Sequence, residues 1–385
     1  MHRRIGILFN GNKVYDRQVI GGIAAYRNQF HREWQLAIEE DYRCSLNPDF
    51  LDTCDAYIAD YDDPEVIATM SKSSKPIIAI GGSYQNEDEY PDCPYVATDN
   101  QYIARLALEH FQLLGFKHFA FYGIQETGGN RWSREREKAF ESLVRESGNV
   151  CFSFRGFNAY NYQADFNRLC DWVASLPKPI AVMSATDARA IHLIDACQHL
   201  SIDVPEQVSV LGVDDDDVAN SICSPTLSSI RQGCHAMGYR AAELLSYQLT
   251  FNRHVKRVMI PPEKLVQRES TRHSGYKDHY VRTAVSQVRG HLHEGIRTAD
   301  IVEKIGLSRS NLETRFHRET GCSLHKYISN SQLARAKELL VSSDKSIADI
   351  ACLCGYPSVQ YLYALFRKEV GMTPKRFRDR NMVRP

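Results

Sequence analysis

The 385-residue sequence predicts an α/β region with two lobes, followed by an all-α region that contains two helix-turn-helix units. Three observations predict this architecture. Short β-rich runs alternate with helical patterns over residues 1–260, a motif repeats after about 50 residues near the carboxyl end, and positive charge is concentrated there. Together they predict separate domains that approach different partners.

The first region is expected to form parallel sheets, because strand and helix candidates alternate along it. The strand candidates are residues 5–9, 34–39, 56–60, 76–80, 95–98, 119–122, 151–154, 180–184 and 208–213. The helix candidates between them include residues 16–30, 101–114, 133–146, 163–175 and 188–200. So many strands would make one sheet very wide, so two lobes are favoured, with their loops around a shared cleft.

The composition changes near residue 270. Residues 1–270 are predicted to form the two α/β lobes, which also provide the dimer contact, residues 271–280 a linker, and residues 281–385 the helical domain. The polar stretch 261–280 is interpreted as a last strand followed by that linker. From residue 274 onward 19 lysines and arginines stand against 11 acidic residues, a net charge of +8, whereas the remainder carries −8. Such an excess is typical of a surface that approaches a polyanion.

The composition also predicts a cytoplasmic protein that neither enters nor crosses a membrane. Apolar runs are far shorter than the ~18 residues that span a bilayer, and no signal-peptide pattern precedes the first strand. The 11 cysteines include no CxxC pair, which is typical of reduced, buried thiols. Cys352 and Cys354 would point to different faces of a helix, so no metal site is predicted.

The carboxyl-terminal repeat predicts two copies of one helical unit. The residues Ala-Asp-Ile-Val at 299–302 recur as Ala-Asp-Ile-Ala at 348–351, and the glycine at 306 recurs at 355. In the second copy Ser346 is a suitable helix N-cap with Asp349 three residues later, and Gly355 suits a left-handed turn before the next helix. In that next helix, the residues expected to face the core of the domain are Tyr361, Leu362, Leu365 and Phe366.

The first copy follows the same plan. Thr298 is expected to cap its first helix and Ser308 its second, with Gly306 at the turn. The second helix of each unit can enter the major groove, where Arg and Asn make bidentate contacts with guanine and adenine. The DNA-binding candidates are Arg309, Ser310, Asn311, Arg315, Ser358, Val359, Gln360 and Tyr363. The alternative is a plain helical bundle with solvated polar faces, but the repeat and the local charge argue against it.

These motifs resemble a known family. Ile-Ala-Asp-Ile-Ala at 347–351, Gly-Tyr at 355–356, Phe-Arg-Lys at 366–368 and Gly-Met-Thr-Pro at 371–374 resemble the signature of the arabinose-regulator (AraC) family. The resemblance implies two helix-turn-helix units joined by a long helix near residues 324–340. It further implies binding to two successive major-groove segments of double-stranded DNA and activation through contact with RNA polymerase. Leu362 departs from the family, which more often has Phe there.

The first region resembles the sensor of lactose-repressor-type regulators and periplasmic sugar-binding proteins. The matches include Ile-Gly-Ile at 5–7, Asp-Asn at 99–100, Arg-Glu-Lys-Ala-Phe at 136–140, Thr-Asp-Ala-Arg at 186–189 and Val-Leu-Gly-Val-Asp at 210–214. The family usually has Gly at position 139 and Asn-Asp at positions 186–187. The predicted fold is therefore a two-lobed, periplasmic-binding-protein-like α/β sensor followed by the tandem helix-turn-helix domain.

A sugar pocket needs carboxylates and arginines for hydroxyl groups and an aromatic face for the ring. The sugar-binding candidates are Asp16, Trp132, Arg136, Asp187, Arg189 and Asp214. Salt bridges, helix capping and core packing remain alternative roles for these residues. The run Asp-Asp-Asp-Asp at 214–217 could suggest a cation site, but a strand end with only Asp214 aimed at the cleft is the simpler interpretation.

The combination of this sensor with this DNA-binding domain resembles bacterial regulators that respond to D-xylose. It implies D-xylose as the effector, no cofactor, a homodimer and paired DNA sites upstream of xylose-utilisation genes. Two alternatives stay open. One is a regulator, including a repressor, that responds to another sugar or to none; the other is a sugar-processing enzyme with a DNA-binding domain. The chain is predicted not to be an enzyme, because the residues suggest no nucleophile or metal set.

Overall fold

The structure is a computed structural model. It describes residues 2–39, 42–84, 86–125, 129–156, 162–251, 256–272, 276, 278–343 and 345–381. The chain divides into two compact units, Met1–Arg272 and His273–Pro385. The predicted linker, residues 271–280, includes positions 273–275 and 277, which lie outside the described residues.

The first unit contains two six-stranded sheets, one in each lobe. In chain order, strands β1 to β12 are Arg3–Leu8, Trp34–Ala37, Ala56–Asp60, Ile77–Gly82, Tyr95–Thr98, Phe119–Ile124, Cys151–Gly156, Ile180–Ser184, Val208–Val213, Ser228–Arg231, Arg257–Ile260 and Lys264–Val266. The strand order is β11-β5-β4-β3-β1-β2 in lobe 1 and β12-β10-β9-β8-β6-β7 in lobe 2. Neighbouring strands are parallel, except that β12 runs antiparallel to β10.

Helices cover both sheets. The helices α1 to α9 of the first unit are Val14–Phe30, Pro48–Asp52, Pro64–Met70, Asn100–Leu113, Arg131–Glu146, Tyr162–Ser175, Asp187–His199, Asp217–Ile222 and Cys234–Phe251. Lobe 1 contains α1–α3 and α9, and lobe 2 contains α4–α8. The helices α1 and α9 cross so closely that a Cβ atom on Gly22 would lie 2.0 Å from the His235 carbonyl oxygen. This close approach lets both helices bury apolar residues against the same face of sheet 1.

All nine predicted strands of the first region are present, and the predicted last strand is β12. The sequence patterns missed β10 and β11. In β10 the residues Ser228 and Ser229 are buried although they are polar, because each hydroxyl has a hydrogen-bond partner inside the lobe. Hydrophobic periodicity therefore gave no signal for this strand.

The chain passes between the lobes at three crossovers. They lie between β5 and α4, between β10 and α9, and between β11 and β12. Backbone hydrogen bonds join them side by side: Asp99 N–H donates to the Ile260 carbonyl at 3.1 Å, and Glu263 N–H donates to the Arg231 carbonyl at 2.9 Å. The crossovers are therefore one hydrogen-bonded connection between the lobes.

The second unit is all-α in its described residues. Its helices α10 to α16 are His279–Gly290, Thr298–Ile305, Arg309–Thr320, Leu324–Ser342, Ile347–Leu353, Val359–Val370 and Pro374–Asn381. The long helix α13 contributes Leu324 and Ile328 to a first core, and Ala336 and Leu340 to a second. The predicted long helix between two helix-turn-helix units is thus confirmed. No helix among the described residues has the length and apolar character needed to cross a membrane.

Candidate ligand cleft and helix-turn-helix surface

A buried polar cluster lies where lobe 2 meets the crossovers. Arg136, on α5, is only 2% exposed. Its Nε donates to Asn100 Oδ1 at 3.1 Å, its Nη1 to the Ala185 carbonyl at 2.5 Å and its Nη2 to Gln232 Oε1 at 3.2 Å. Asn100 opens α4 directly after one crossover and Gln232 lies in another. The Arg136 guanidinium therefore links two crossovers to lobe 2.

The same cluster contains Asp214, which follows β9. The Gln232 amide donates to Asp214 Oδ1 at 2.6 Å. Burial raises the pKa of Asp214 to about 6, although the charge of Arg136 and the Gln232 hydrogen bond oppose the rise. Burial in turn lowers the pKa of Arg136, and the charge of Asp214 limits that change. The structure thus brings two of the predicted sugar-binding residues into one hydrogen-bonded group.

Asp187 lies beneath the Asp214 turn. Its Oδ1 accepts from the Ser229 hydroxyl at 2.6 Å and its Oδ2 from the Asp216 N–H at 2.8 Å. Thr186, and not Asp187, caps α7. Burial and the charge of Asp214 raise the pKa of Asp187 to about 7. Both carboxylate oxygens therefore already support the turn that carries Asp214.

Arg189 lies at the ends of other strands. Its Nη1 is 3.4 Å from the Tyr122 hydroxyl, and its guanidinium is 5.8 Å from the centre of the Tyr122 ring. Tyr122 is in β6, whereas Asp214 follows β9.

Trp132, half-buried at the start of α5, packs on the core of lobe 2, and its ring lies 5.2 Å from the Arg136 guanidinium. Trp132 thus has the packing role that was its alternative, and it also adjoins the polar cluster.

The side of lobe 1 contributes Asp16, in the first turn of α1. This residue is 1% exposed, and neither of its carboxylate oxygens has a hydrogen-bond partner among the described residues. Burial raises its pKa to about 7, against the charge of Lys13. A buried carboxylate without donors is costly, so this group is suited to a ligand that brings its own donors.

The sequence interpretation did not include a second acidic group in lobe 1. Asp62 Oδ1 accepts from Arg131 Nη2 at 2.9 Å, and its Oδ2 accepts from the Gly82 N–H at 2.8 Å. Arg131, the first residue of α5, also donates to the carbonyls of Gly82 and Ser83 and lies 3.5 Å from the centre of the Tyr84 ring. Its side chain therefore joins lobe 2 to lobe 1. One signal was available: Asp62 and Asp63 lie just after β3, as the acidic run 214–217 lies just after β9.

The first helix-turn-helix unit consists of α11 and α12. Gly306 makes the left-handed turn with φ of 72°, and Ser308 caps α12 as predicted. The first helix is capped differently from the prediction: its N-cap is Arg297, whose N–H donates to the Asp300 carboxylate at 2.8 Å, and Thr298 is already helical. The side chain of Asp300 satisfies the end of the helix, so a hydroxyl at the cap is not needed.

The predicted reading residues of α12 have two different environments. Arg309, Ser310 and Asn311 are exposed. Arg315 is held in place: its Nε donates to Asn311 Oδ1 at 2.8 Å and its Nη1 to Asp278 Oδ2 at 2.7 Å. The hydrogen bonds and charge of Arg315 keep the pKa of Asp278 low despite its burial. The first reader, as we call the DNA-facing helix α12, thus contains an arginine that the protein itself orients; α15 is the second reader.

The second unit consists of α14 and α15. Ser346 and Asp349 form the predicted capping box, and Ser358 caps α15. Ser358 and Gln360 are exposed, whereas Val359 and Tyr363 are partly buried. The expectation that Tyr361 faces the core is wrong, because its side chain is 48% exposed. Leu362 and Phe366 form the buried stripe of the helix. Tyr361, one residue before Leu362, is rotated away from this stripe by about 100°. Tyr361 therefore joins the exposed residues at the start of α15.

A two-lobed sensor with a buried polar cluster at its crossovers, joined in one chain to two helix-turn-helix units, defines a ligand-responsive DNA-binding regulator. Models of known families match the same three parts. They describe a XylR N-terminal domain over residues 4–101, a periplasmic binding protein-like domain over residues 108–271, and a helix-turn-helix domain over residues 301–380.

The chain belongs to the family of xylose operon regulatory proteins. It is 39% identical to the xylose operon regulatory protein of Escherichia coli strain K12, over 98% of this chain and 97% of that protein. It is 38% identical to the protein of the same name from Haemophilus influenzae, over 97% of this chain and 98% of that protein. The prediction of an AraC-type transcription regulator is thus confirmed.

Solved structures agree on the fold. The structure described as the xylose-binding transcription activator XylR superposes with a TM-score of 0.85, at 38% identity and over 99% of both chains. The lactose repressor dimer bound to operator superposes with a TM-score of 0.58 over 71% of this chain and 95% of that chain. At 18% identity the second match shows the fold of the sensor alone. The two-lobed, periplasmic-binding-protein-like prediction is confirmed.

Proposed function

We propose that this chain is a transcription activator that binds D-xylose in the cleft between its lobes and then engages DNA upstream of xylose-utilisation genes. The relatives' names supply the sugar and the regulatory role. The observation within the chain that supports a polyhydroxyl ligand is the buried Asp16 carboxylate, which has no hydrogen-bond partner among the described residues. Sugar hydroxyl groups are the donors that such an acid lacks.

In this proposal the sugar is contacted by Asp16 from lobe 1 and by Arg136 and Asp214 from lobe 2, with Trp132 beside the ring. Asp187 positions the Asp214 turn, and Arg189 on α7 contacts the sugar from its place beside Tyr122 of β6. Because Arg136 links two crossovers, a ligand that binds it acts where the lobes join. D-xylose would favour the closed arrangement only through higher affinity for that arrangement.

The DNA contacts proposed are Arg309, Ser310, Asn311 and Arg315 from α12, and Ser358, Val359, Gln360 and Tyr363 from α15. Nearby lysines and arginines would fix the register on phosphate, whereas these residues would read base edges. We propose that the chain acts as a homodimer on paired operator sites, so that both readers engage together, and that it contacts RNA polymerase. Such a regulator acts in the cytoplasm, where operator DNA lies.

D-xylose acts as an effector in this proposal and is released unchanged, with no cofactor involved and no catalytic role for the chain. The relatives are named as regulators, which supports this assignment over a sugar-processing enzyme. An enzyme would convert D-xylose into a product, so incubation of purified protein with D-xylose and analysis of the sugar by chromatography separates the two functions.

Calorimetric titration of the full-length protein with D-xylose, L-arabinose and D-glucose tests the sensor. We expect saturable heat with D-xylose and none with D-glucose. Asp214→Ala is expected to weaken D-xylose binding by at least about tenfold, because it removes an acceptor and leaves the side-chain N–H of Gln232 without the acceptor it has in the wild-type protein. Asp217→Ala is the matched control: it changes an exposed acid of the same run and should leave the affinity within about twofold.

The possible outcomes separate the parts of the proposal. Tighter binding of L-arabinose would retain the sensor and remove D-xylose as its effector. If no sugar produced heat, the sensor assignment would be wrong, and the chain would remain a DNA-binding regulator with a different signal. Binding of D-xylose that releases the protein from DNA would make it a repressor.

A further inference from the structure

Asp215, the residue after the candidate sugar-binding Asp214, is bound by two arginines. Its carboxylate is completely buried. Arg231 on β10 donates to Oδ2 from Nε at 2.9 Å and from Nη2 at 2.5 Å. Arg268, which follows β12, donates to Oδ1 from Nη2 at 2.7 Å. Although burial opposes ionisation, these two arginines lower the pKa of Asp215 and so stabilise its charged form.

The backbone at this turn is strained. Asp214 has a φ of 126° and Asp215 a φ of 55°, both in the region that favours glycine. Such conformations cost on the order of 1–3 kcal/mol each and persist only where the surroundings impose them. Two sets of contacts impose them here. The two arginines bind the Asp215 carboxylate, and the Ser229 hydroxyl accepts from the Asp215 N–H at 2.9 Å. The direction of the Asp214 side chain therefore depends on the anchorage of Asp215.

Arg268 belongs to the last segment of the first unit, which we call the exit segment: residues 268–272, after which the chain continues to the second unit. This segment is hydrogen-bonded along lobe 2. Ser270 accepts from the Val210 N–H at 2.9 Å and donates from its own N–H to the Thr226 carbonyl at 2.9 Å. The Thr271 hydroxyl lies 2.8 Å from Ser228 Oγ and 2.9 Å from His110 Nε2.

Arg268 thus connects the Asp214–Asp215 turn with the exit segment. Its side chain binds Asp215, one residue from the candidate sugar contact. Its own backbone is part of the exit segment, where its N–H donates to Ser228 Oγ at 2.7 Å. A shift of the Asp214–Asp215 turn therefore has to move Arg268 or break its ion pair, and either change alters the start of the connection to the DNA-binding unit.

We infer that Arg268 is a positioning residue that couples occupancy of the sugar site at Asp214 to the exit segment, and through it to DNA affinity. This inference rests on the proposed function. It assigns to the Asp215–Arg268 ion pair a role in transmitting the signal, in addition to any role in folding. The ion pair of Asp215 with Arg231 lies outside the exit segment and is assigned no such role.

The test measures coupling with the full-length chain. The DNA is a duplex selected from a random pool by the wild-type protein with saturating D-xylose. Its dissociation constant is measured by fluorescence anisotropy with and without D-xylose, and the ratio of the two values is the coupling factor. For the wild-type chain we expect a factor of about 5–150, the usual range for coupled sites. Calorimetry gives the affinity for D-xylose of each variant.

Arg268→Gln is expected to lower the coupling factor at least about fivefold. It should change the D-xylose affinity less than about threefold, because Arg231 still holds the Asp215 carboxylate through two hydrogen bonds. Arg268→Lys, which retains a positive charge, should recover part of the factor. Arg272→Gln is the matched control, because it makes the same substitution at an exposed arginine of the same segment. Arg231→Gln removes the other arginine from Asp215 and is expected to weaken sugar binding while retaining the coupling factor.

A wild-type factor that persists in Arg268→Gln would overturn the inference and leave the proposed function intact. If the coupling factor of the wild-type protein were about one with D-xylose bound, both the inference and the proposed function would be wrong, because there would be no signal to transmit. Should Arg268→Gln fail to fold, hydrogen exchange on the wild-type chain decides: D-xylose is expected to change the exchange of the Ser270 amide. Unchanged exchange there under saturating sugar would contradict the coupling.

Discussion

The buried polar groups of the two lobes differ in their hydrogen bonding. In lobe 2, Arg136, Asp187 and Asp214 all have hydrogen-bond partners without any ligand. In lobe 1, Asp16 is equally buried but has no partner for either oxygen among the described residues. The groups of lobe 2 are therefore preorganised by the protein itself, whereas the Asp16 carboxylate of lobe 1 has no such contacts among the described residues. Under the proposed function, we expect D-xylose to bind the groups of lobe 2 with little rearrangement and to reach Asp16 when the lobes close.

Loss of the hydrogen-bonded cluster in lobe 2 should reduce the stability of the protein most. Arg136→Met takes away a buried guanidinium and leaves the acceptors of Asn100 and Ala185 unpaired. We expect the free energy of unfolding to fall by about 3–5 kcal/mol, measured by urea denaturation. Arg145→Met, at an exposed arginine of the same helix, is the control and should change it by less than about 0.5 kcal/mol. Equal stability of the two variants would show that the cluster is not preorganised.

The pH dependence of D-xylose binding tests the lobe 1 side. Asp16 has a pKa of about 7 without ligand, and an ionised carboxylate accepts sugar hydroxyls better than a neutral acid does. Binding should therefore release a proton below this pKa. The affinity is expected to rise by up to about 100-fold between about pH 5 and pH 7 and to level off above it, with a further contribution from Asp214, whose pKa is about 6.

Calorimetry in two buffers of different ionisation enthalpy measures the released proton directly. The control is Asp16→Asn, which cannot ionise at this position and should show weaker binding with a smaller dependence on pH, because only Asp214 and Asp187 of the cluster then titrate in this range. An affinity that stays constant in the wild-type protein from pH 5 to pH 8 would contradict a role for the Asp16 carboxylate in sugar binding.

Asp16→Asn is also expected to change the stability of the protein in a pH-dependent way. The folded-state pKa of Asp16 lies above its usual value, so folding takes up a proton between about pH 4 and pH 7, and stability declines as the pH rises through that window. Asp16→Asn avoids this decline, although its amide also lacks partners. At about pH 8 we expect it to raise the free energy of unfolding by about 1–2 kcal/mol, and at about pH 4.5 to leave it nearly unchanged.

Urea denaturation at the two pH values measures this difference. Asp171→Asn, at an exposed position of α6, serves as the control and should show no dependence of this kind. A destabilised Asp16→Asn protein at pH 8 would mean that the carboxylate has partners in solution, and the contrast between the lobes would then disappear.

The sequence predicted the sheets and the readers better than it predicted the cleft. In strands such as β3, residues 56–59 form an apolar run, and the paired glycines Gly306 and Gly355 mark both turns, so local patterns were sufficient. The positions of Asn100 and Gln232 depend on where three crossovers meet, which no local pattern contains. The different roles of Asp187, which supports a turn, and Asp16, which has no partner in the described part of the chain, likewise depend on contacts between residues distant in the sequence. Residue type indicated carboxylates, and only the fold distinguished their roles.

The smallest effect expected here extends the contrast to the reader. Arg315 on α12 is preorganised by Asp278, just as Arg136 is preorganised in lobe 2. Asp278→Asn removes a negative charge beside Arg315 and loosens its orientation. We expect affinity for random duplex to rise about two- to threefold, because the surface becomes more positive, and discrimination in favour of the selected duplex to fall by about 1 kcal/mol.

Asp379→Asn separates charge from orientation, because it makes the same change of charge at an exposed position of α16. It should raise affinity for random and selected duplex alike and leave their ratio unchanged, as fluorescence anisotropy at several salt concentrations would measure. If Asp278→Asn behaved in the same way, Asp278 would contribute charge alone, and Arg315 would read DNA without prior orientation. A lower ratio in Asp278→Asn only would show that preorganisation by a buried carboxylate operates in the reader as well as in lobe 2.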